Sequence, residues 1–73
     1  MINELIEKIA PYLDQYKIKF TEGNEMIAIN NSFYFDLRNY ESLNETDSHI
    51  DIIAKGYKIV LFKNVDLFYS VTY

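Results

Sequence analysis

The residues most able to bind a metal or take part in catalysis lie close together near the middle of the chain. Asp47, His49 and Asp51 occupy alternate positions, so in an extended segment all of their side chains would project to one side. Carboxylate and imidazole groups arranged in this way could ligate a divalent metal, which makes a metal-dependent enzyme one hypothesis. The same spacing is typical of any exposed edge strand, and a solvated face is the more ordinary interpretation.

The residue types give little other support for catalysis. His49 is the only histidine and therefore the only ordinary side-chain base near pH 7. The chain has no cysteine nucleophile, and neither Gly23 nor Gly56 belongs to a phosphate-cradling run. A set such as Ser70, His49 and Asp66 can be drawn from almost any sequence, and no motif marks a serine as activated. We therefore predict a protein that is not an enzyme and that uses no metal or other cofactor.

A second set of candidate residues is acidic and spans the central third of the chain. It consists of Asp36, Glu41, Glu45, Asp47 and Asp51. Arg38 is the only firm positive charge in the same stretch, which is typical of a hydrated, solubilising loop. A sharper hypothesis is that these carboxylates imitate a row of phosphates and occupy the DNA-binding groove of another protein, with electrostatic steering. The modest net charge of −4 counts against a full mimic.

Length and composition favour a small domain that needs help to be stable. The 73 residues predict a single domain over 1–73, and a chain of this size buries only about 60% of its unfolded surface. Since the chain has no cysteine, oligomerisation is the remaining common source of stability. Its seven tyrosines and five phenylalanines are of the types that are common in interface cores. We expect a protein partner, first of all a second copy of the chain.

Charge and hydropathy exclude other partner classes. A net charge of −4 would repel nucleic acid phosphates, so we expect no direct binding to DNA or RNA. The chain lacks an apolar run of about 18 residues and a basic start followed by an apolar core, which predicts a soluble, cytoplasmic protein without membrane contact. Isoleucine, lysine, asparagine and tyrosine are abundant and have AT-rich codons, which would suit a phage or mobile-element protein.

The elements that must position these residues begin with a helix. Apolar residues recur at helical spacing through the first segment, at Ile2, Leu5, Ile6, Ile9, Leu13 and Tyr16. Asn3 is a suitable cap, and the pattern predicts a helix over about 2–16. Pro11 conflicts with it, because proline removes a backbone donor inside a helix. The helix is therefore either bent at Pro11 or broken near Ala10 into two short pieces.

Alternation and turn residues then predict strands. Polar and apolar residues alternate strictly over 17–21, which predicts a strand with one solvent-exposed face. Glu22-Gly23-Asn24 predicts a hairpin turn into a second strand over 26–29. Asn30-Asn31-Ser32 predicts another turn, and 33–37 the next strand.

The middle of the chain is harder to interpret. The periodic spacing of apolar residues is lost from Arg38 to Ser48, which predicts the longest loop of the chain. The following segment, 48–56, has a helical interpretation, with Ser48 as cap and Gly56 just past the end. It also has a strand interpretation, with 50–53 pairing through a Lys55-Gly56 turn. We prefer the strand.

The last third, 57–73, carries apolar residues on both faces of two strands, 57–62 and 65–73, joined by a Lys63-Asn64 turn. A half-solvated strand alternates cleanly, so apolar residues on both sides indicate cover on both sides. The residues we predict to form an interface are Val60, Phe62, Phe68, Tyr69 and Tyr73.

Together these patterns predict an α+β domain with one N-terminal helix packed on a mainly antiparallel meander sheet of five or six strands. One helix covers about one face of such a sheet, which leaves the second face or a free edge for a partner. We therefore expect a small non-enzymatic protein-binding module, homodimeric, that occupies a surface of a larger target. A phage or mobile-element inhibitor of a host DNA-handling protein is a more specific hypothesis, and a structural or regulatory subunit is the alternative.

Overall fold

The computed structural model describes residues 2–21, 23 and 25–73. Its elements are α1 (Ile2–Ile9), β1 (Lys19–Phe20), β2 (Met26–Ile29), β3 (Phe33–Asp36), β4 (Tyr40–Glu45), β5 (His49–Ala54), β6 (Tyr57–Phe62) and β7 (Tyr69–Thr72). The strands form two antiparallel sheets, one in the order β1-β2-β3 and the other in the order β4-β5-β6-β7. The predicted α+β class with an N-terminal helix is confirmed. The single sheet of five or six strands is wrong.

The break between the sheets lies at a 3₁₀ turn over Leu37–Asn39. Asp36 caps this turn, and its Oδ1 accepts a hydrogen bond from the backbone N–H of Arg38 at 2.9 Å. The turn redirects the chain, so β4 starts a new sheet instead of extending the first.

The helix is shorter than the predicted 2–16. It ends at Ile9 and passes into a 3₁₀ turn over Ala10–Tyr12, where Pro11 lacks the N–H that a continuing helix requires. The predicted break near Ala10 therefore describes the chain better than a bent helix. Leu5 and Tyr16 are fully buried, so the apolar stripe reaches the core despite the break. Among the described residues, 2–21, 23 and 25–73, no helix is long and apolar enough to cross a membrane.

The first sheet is built from short hairpins. β1 contains only two residues, and Lys19 pairs with Ala28 of β2. Glu22 and Asn24 of the predicted turn lie outside the described residues. The predicted turn between β2 and β3 is confirmed, with Asn30 and Asn31 both in the left-handed region at φ 53° and 56°. Asparagine tolerates this conformation better than most residues.

The predicted loop from Arg38 to Ser48 is wrong, because most of it forms β4. Tyr40 pairs with Ala54 and Ser42 pairs with Ile53, so the register shifts by one residue between them. Such a β-bulge disrupts strict alternation in the strand that carries it. The irregular spacing of apolar residues in β4 therefore hid a strand.

The strand interpretation of the next segment is confirmed. β5 alternates between partly and fully buried residues, and Ala54 lies opposite Tyr57 across a turn at Lys55 and Gly56. Gly56 has φ +86°, which an L side chain rarely adopts.

β7 covers only Tyr69–Thr72 of the predicted strand over 65–73. The chain between β6 and β7 instead makes a loop in which Leu67 has φ +61° and its N–H donates to the carbonyl of Gln15 at 3.1 Å. The amide Nε2 of Gln15 donates to the carbonyl of Lys63 at 3.0 Å, and the Tyr16 hydroxyl donates to the carbonyl of Phe62. The segment after the helix thus fastens the loop between the last two strands.

One hydrophobic core lies between α1 and the inner faces of both sheets. Aromatic rings join the sheets: Phe35 of β3 meets Tyr57 of β6 edge to face, with centroids 6.1 Å apart. The fully buried residues with large side chains are Leu5, Ile9, Tyr16, Ile27, Ile29, Phe35, Ile50, Ile52, Ile59 and Leu61. The helix and the smaller sheet therefore cover the inner face of the four-stranded sheet.

Candidate functional site

The outer face of the four-stranded sheet lies opposite the core. Side chains alternate across a strand, so the residues between the buried ones project to this side. Asp51 lies opposite Val60, and Val60 lies opposite Ser70, across three neighbouring strands. The residues of this outer face are Ser42, Asn44, His49, Asp51, Ile53, Lys58, Val60, Phe62, Ser70 and Thr72. All of these residues are partly or fully exposed, unlike their buried neighbours along the strands.

An apolar patch, formed by Val60, Phe62 and Phe68, lies at one end of this face. The rings of Phe62 and Phe68 are 5.0 Å apart between centroids, and the backbone N–H of Phe62 donates to the Phe68 carbonyl at 3.4 Å. The Phe68 side chain is 51% exposed, although it is large and apolar. Val65 in the same loop is 50% exposed. Apolar groups in this concentration are a recognised feature of protein interaction sites.

The structure separates the other two predicted interface residues from this patch. Tyr69 lies opposite Leu61 and packs against the core, with its hydroxyl 2.7 Å from Ser32 Oγ. Tyr73 is 88% exposed, and its ring centroid is 5.8 Å from that of Tyr57. Of the predicted set, Val60, Phe62 and Phe68 are therefore together on the outer face. Alternation along β7 and the residue after it assigns both tyrosines to the inner face.

A polar cluster around His49 borders the patch. His49 Nδ1 is 2.8 Å from Ser48 Oγ and 3.2 Å from Thr46 Oγ1. Its Nε2 is 3.4 Å from Asp51 Oδ1, and its ring centroid is 6.3 Å from that of Phe62. The two hydroxyl contacts of Nδ1 hold the imidazole against the edge of the aromatic patch, whereas Asp51 Oδ1 is buried and has no hydrogen-bond partner among the described residues.

Ser48, His49 and Asp51 resemble the order of groups in a nucleophilic relay, but the surrounding donors are occupied. The backbone N–H groups of Ser48 and His49 donate to Thr46 Oγ1 at 3.3 and 3.2 Å. They are therefore not directed at a position where an oxyanion would develop. The cluster orders the turn between β4 and β5.

The hypothesis of a metal site finds no complete ligand set. His49 and Asp51 are neighbours, whereas Asp47 lies exposed in the turn. Residues 2–21, 23 and 25–73 contain no group of three or more histidine, cysteine, aspartate or glutamate side chains placed to hold a metal ion.

Glu45, one of the predicted partner-binding carboxylates, is engaged within the fold. It is the last residue of β4 and lies opposite Ile50, on the side of the sheet that faces the helix. Its Oε2 is 2.8 Å from Lys63 Nζ, and its Oε1 is 2.9 Å from Lys8 Nζ. The hydrogen bonds from Lys63 and then Lys8 lower the pKa of the Glu45 carboxyl to about 2. The pKa values of both lysines are correspondingly raised.

The other carboxylates do not complete an acidic row. Asp36 pairs with Arg38, whose Nη2 is 2.7 Å from Asp36 Oδ2, and the side-chain hydrogen bonds lower the pKa of Asp36 to about 2. Glu41 is exposed on β4, Asp47 is exposed in the turn, and Asp51 lies on the outer face. Two of the five predicted acidic residues therefore already have cationic partners.

The sequence patterns missed two features of the four-stranded sheet. Lys8 and Lys63 gave no signal as partners of Glu45, because they are distant from it in sequence. Ile53 belongs to the outer face, but it was hidden in an isoleucine-rich run.

No protein-family model matches the chain, and neither a curated protein nor a solved structure is detectably similar to it.

Proposed function

We propose that the protein is a small binding module that recognises a larger protein through the outer face of its four-stranded sheet. The observation that carries this proposal is the exposure of Phe68, 51%, beside Phe62 on a face opposite a filled core. Burying such rings in a partner removes apolar surface from water, at about 25 cal/mol per Å².

The arrangement of the outer face supports a protein as the ligand. Its aromatic patch lies at one end of the face, beside His49, and polar residues that include Asp51 and Lys58 continue along the strands. Aromatic residues are enriched in protein interfaces, where polar groups border the apolar contacts. The proposed role is to occupy a surface of the target, without chemistry on it.

Acidic mimicry of DNA is the weaker candidate for how the target is recognised. Glu45 and Asp36 have lysine and arginine partners in the fold, which leaves Glu41 and Asp47 as the more available charges. A phage or mobile-element inhibitor of a DNA-handling protein would therefore depend on the apolar face more than on an acidic row.

A capture experiment tests the proposal. The immobilised chain and its Phe68→Ser variant are each exposed to a lysate of the organism that encodes the protein. Tyr34→Ser is the matched control, because Tyr34 is an aromatic residue of the other sheet that is 57% exposed. We expect a defined protein to be retained by the wild type and by the Tyr34 variant, and lost with the Phe68 variant.

The result also separates the alternatives. Mimicry would be favoured instead if Phe68→Ser still retains the target but a Glu41→Gln, Asp47→Asn double variant does not. In that case, retention by the wild type should also fall steeply with salt. A stoichiometric complex that depends on Phe68 and resists salt would indicate a subunit of a permanent assembly, bound by the same face.

A further inference from the structure

The four-stranded sheet leaves the outer edge of β7 without a partner strand among the described residues. The hydrogen bond from Phe62 N to Phe68 O marks these residues as a bonded pair. Bonded and non-bonded pairs alternate along an antiparallel ladder, so the next bonded pair is Val60 with Ser70. The N–H and C=O groups of Val71 therefore point away from β6. By the same alternation, those of Tyr69 also point outward, and the chain beyond β7 continues this parity at Tyr73.

The two edges of the sheet differ in their protection against another strand. β4 carries the exposed Glu41, and an exposed charge is a common device that keeps an edge from pairing, whereas Glu45 of the same strand is paired with Lys8 and Lys63. The sequence of β7, Tyr-Ser-Val-Thr, has no charge and no proline. A row of unpaired backbone groups without such a device is a template for a β-strand.

A second copy of the same strand fits this edge. Antiparallel pairing about a two-fold axis at Val71 joins the outward-facing backbone groups of both copies. It places Tyr69 opposite Tyr73 of the second copy, and Ser70 opposite Thr72 of the second copy. Every cross-strand pair is then uncharged, and no like charges oppose one another.

The same arrangement suits the acidity of the chain. In the sheet order β4-β5-β6-β7, Glu41 of β4 lies at the edge farthest from β7. Pairing through β7 keeps the Glu41 carboxylates of two copies apart, whereas pairing through β4 would bring them closer together. We propose that two copies of the chain associate through β7, antiparallel about Val71, so that their four-stranded sheets become one continuous sheet. This dimer is independent of target binding through Phe68.

The molar mass in solution, measured by light scattering and sedimentation, tests the dimer. We expect the wild type to have the mass of two chains, and Val71→Pro to have the mass of one. Proline removes the N–H that faces the second copy, and it is tolerated on an edge strand where that N–H is not used within the monomer. Val71→Ala is the matched control, because it loses the same side chain but keeps the N–H, and it should remain dimeric.

Amide hydrogen exchange gives a second test that requires no variant. In the wild type, exchange of the Val71 amide should slow as the chain concentration rises, because this amide is bonded only in the dimer.

A charge introduced at the edge gives a further variant. Ser70→Lys should dissociate the dimer, whereas Ser42→Lys on the other edge should not.

A wild type that is monomeric at its highest soluble concentration would overturn the proposal. So would a dimer that persists in both Val71→Pro and Ser70→Lys, or a Val71 amide whose exchange does not depend on concentration. Loss of the dimer in Val71→Pro with continued capture of a target through Phe68 would leave the proposed function intact. Conversely, a Phe68→Ser variant that no longer captures the target but keeps the mass of two chains would show that the dimer forms without target binding.

Discussion

Glu45 connects three parts of the chain through one carboxylate. It receives Lys8 from the helix and Lys63 from the loop after β6, at 2.9 and 2.8 Å. Each contact is partly exposed, so water and salt weaken it. The contribution of the cluster lies in fixing the helix and the loop against the end of β4.

The depressed pKa of Glu45 predicts how stability responds to acid. The pKa is about 2 in the folded chain against an ordinary value of 4.5, so the unfolded chain binds the proton more tightly and acid favours unfolding. The stabilisation should be complete above about pH 4.5 and should shrink as the pH falls from 4.5 toward 2. Thermal melts across this range should show a smaller loss of midpoint in Glu45→Gln than in the wild type.

Glu41→Gln is the control for this comparison, because Glu41 is an exposed glutamate of the same strand. Its acid profile should follow that of the wild type. A Glu45→Gln profile as steep as the wild type between pH 4.5 and 2 would contradict the role assigned to the carboxylate.

Tyr16 is the second residue with a connecting role. Its side chain is fully buried, and its hydroxyl donates to the carbonyl of Phe62. Tyr16→Phe keeps the ring but leaves that carbonyl without this donor, which should lower the free energy of unfolding by about 1–2 kcal/mol. Urea denaturation measures the change.

Tyr12→Phe serves as the matched variant. Tyr12 is a half-buried tyrosine whose ring centroid lies 6.3 Å from that of Tyr16. We expect this change to cost less than Tyr16→Phe, and equal losses in the two variants would argue against the importance of the Phe62 contact.

Among the elements, the β5–β6 hairpin depends on its turn. Gly56 has φ +86°, and a Cβ added there would meet no atom within 4 Å. The cost of Gly56→Ala is therefore conformational, not steric crowding with neighbours, and should be about 1–2 kcal/mol. Chemical denaturation should show this loss, and Lys55→Ala in the same turn should show little of it. An unchanged midpoint in Gly56→Ala would mean that the turn relaxes to another conformation.

The success of the sequence patterns differed between strands for physical reasons. β5 could be predicted because its isoleucines and the Lys55-Gly56 turn both favour a hairpin, and the structure has that hairpin. β4 could not, because its bulge shifts the register between Tyr40 and Ser42 and breaks the alternation. The division into two sheets depends on the turn over Leu37–Asn39, whose effect on chain direction does not appear in hydrophobic periodicity.

The candidate site was predictable only where alternation decides orientation. Alternation along the two predicted strands puts Val60, Phe62 and Phe68 on one face, and in the structure they lie on one face. Tyr69 and Tyr73 belong to the same predicted interface, but alternation assigns them to the inner face, as the pairing of Tyr69 with Leu61 shows. The lysine partners of Glu45 depend on tertiary contacts, which no local pattern encodes.

At the scale of the whole molecule, stability depends on the aromatic junction between the two sheets. Phe35 is fully buried and meets Tyr57 of the other sheet. A chain of 73 residues has a total stability of about 4–11 kcal/mol. Phe35→Ala should remove about 3–5 kcal/mol, which is a large share of that total.

Circular dichroism with thermal and urea denaturation would measure this effect. Tyr34→Ala, at the adjacent exposed position, should change stability by no more than about 0.5 kcal/mol. A small effect of Phe35→Ala would show that the two sheets are stable without this junction.

The bonds that fasten the loop after β6 also determine when the chain can fold during its synthesis. Tyr16 and Phe62 are 46 residues apart, and Gln15 and Lys63 are 48 residues apart. The helix has eight residues, fewer than the roughly 12–15 that an isolated helix needs for even marginal stability in water. A nascent chain therefore cannot complete the contacts that fix its first element until residues 62 and 63 have left the ribosome.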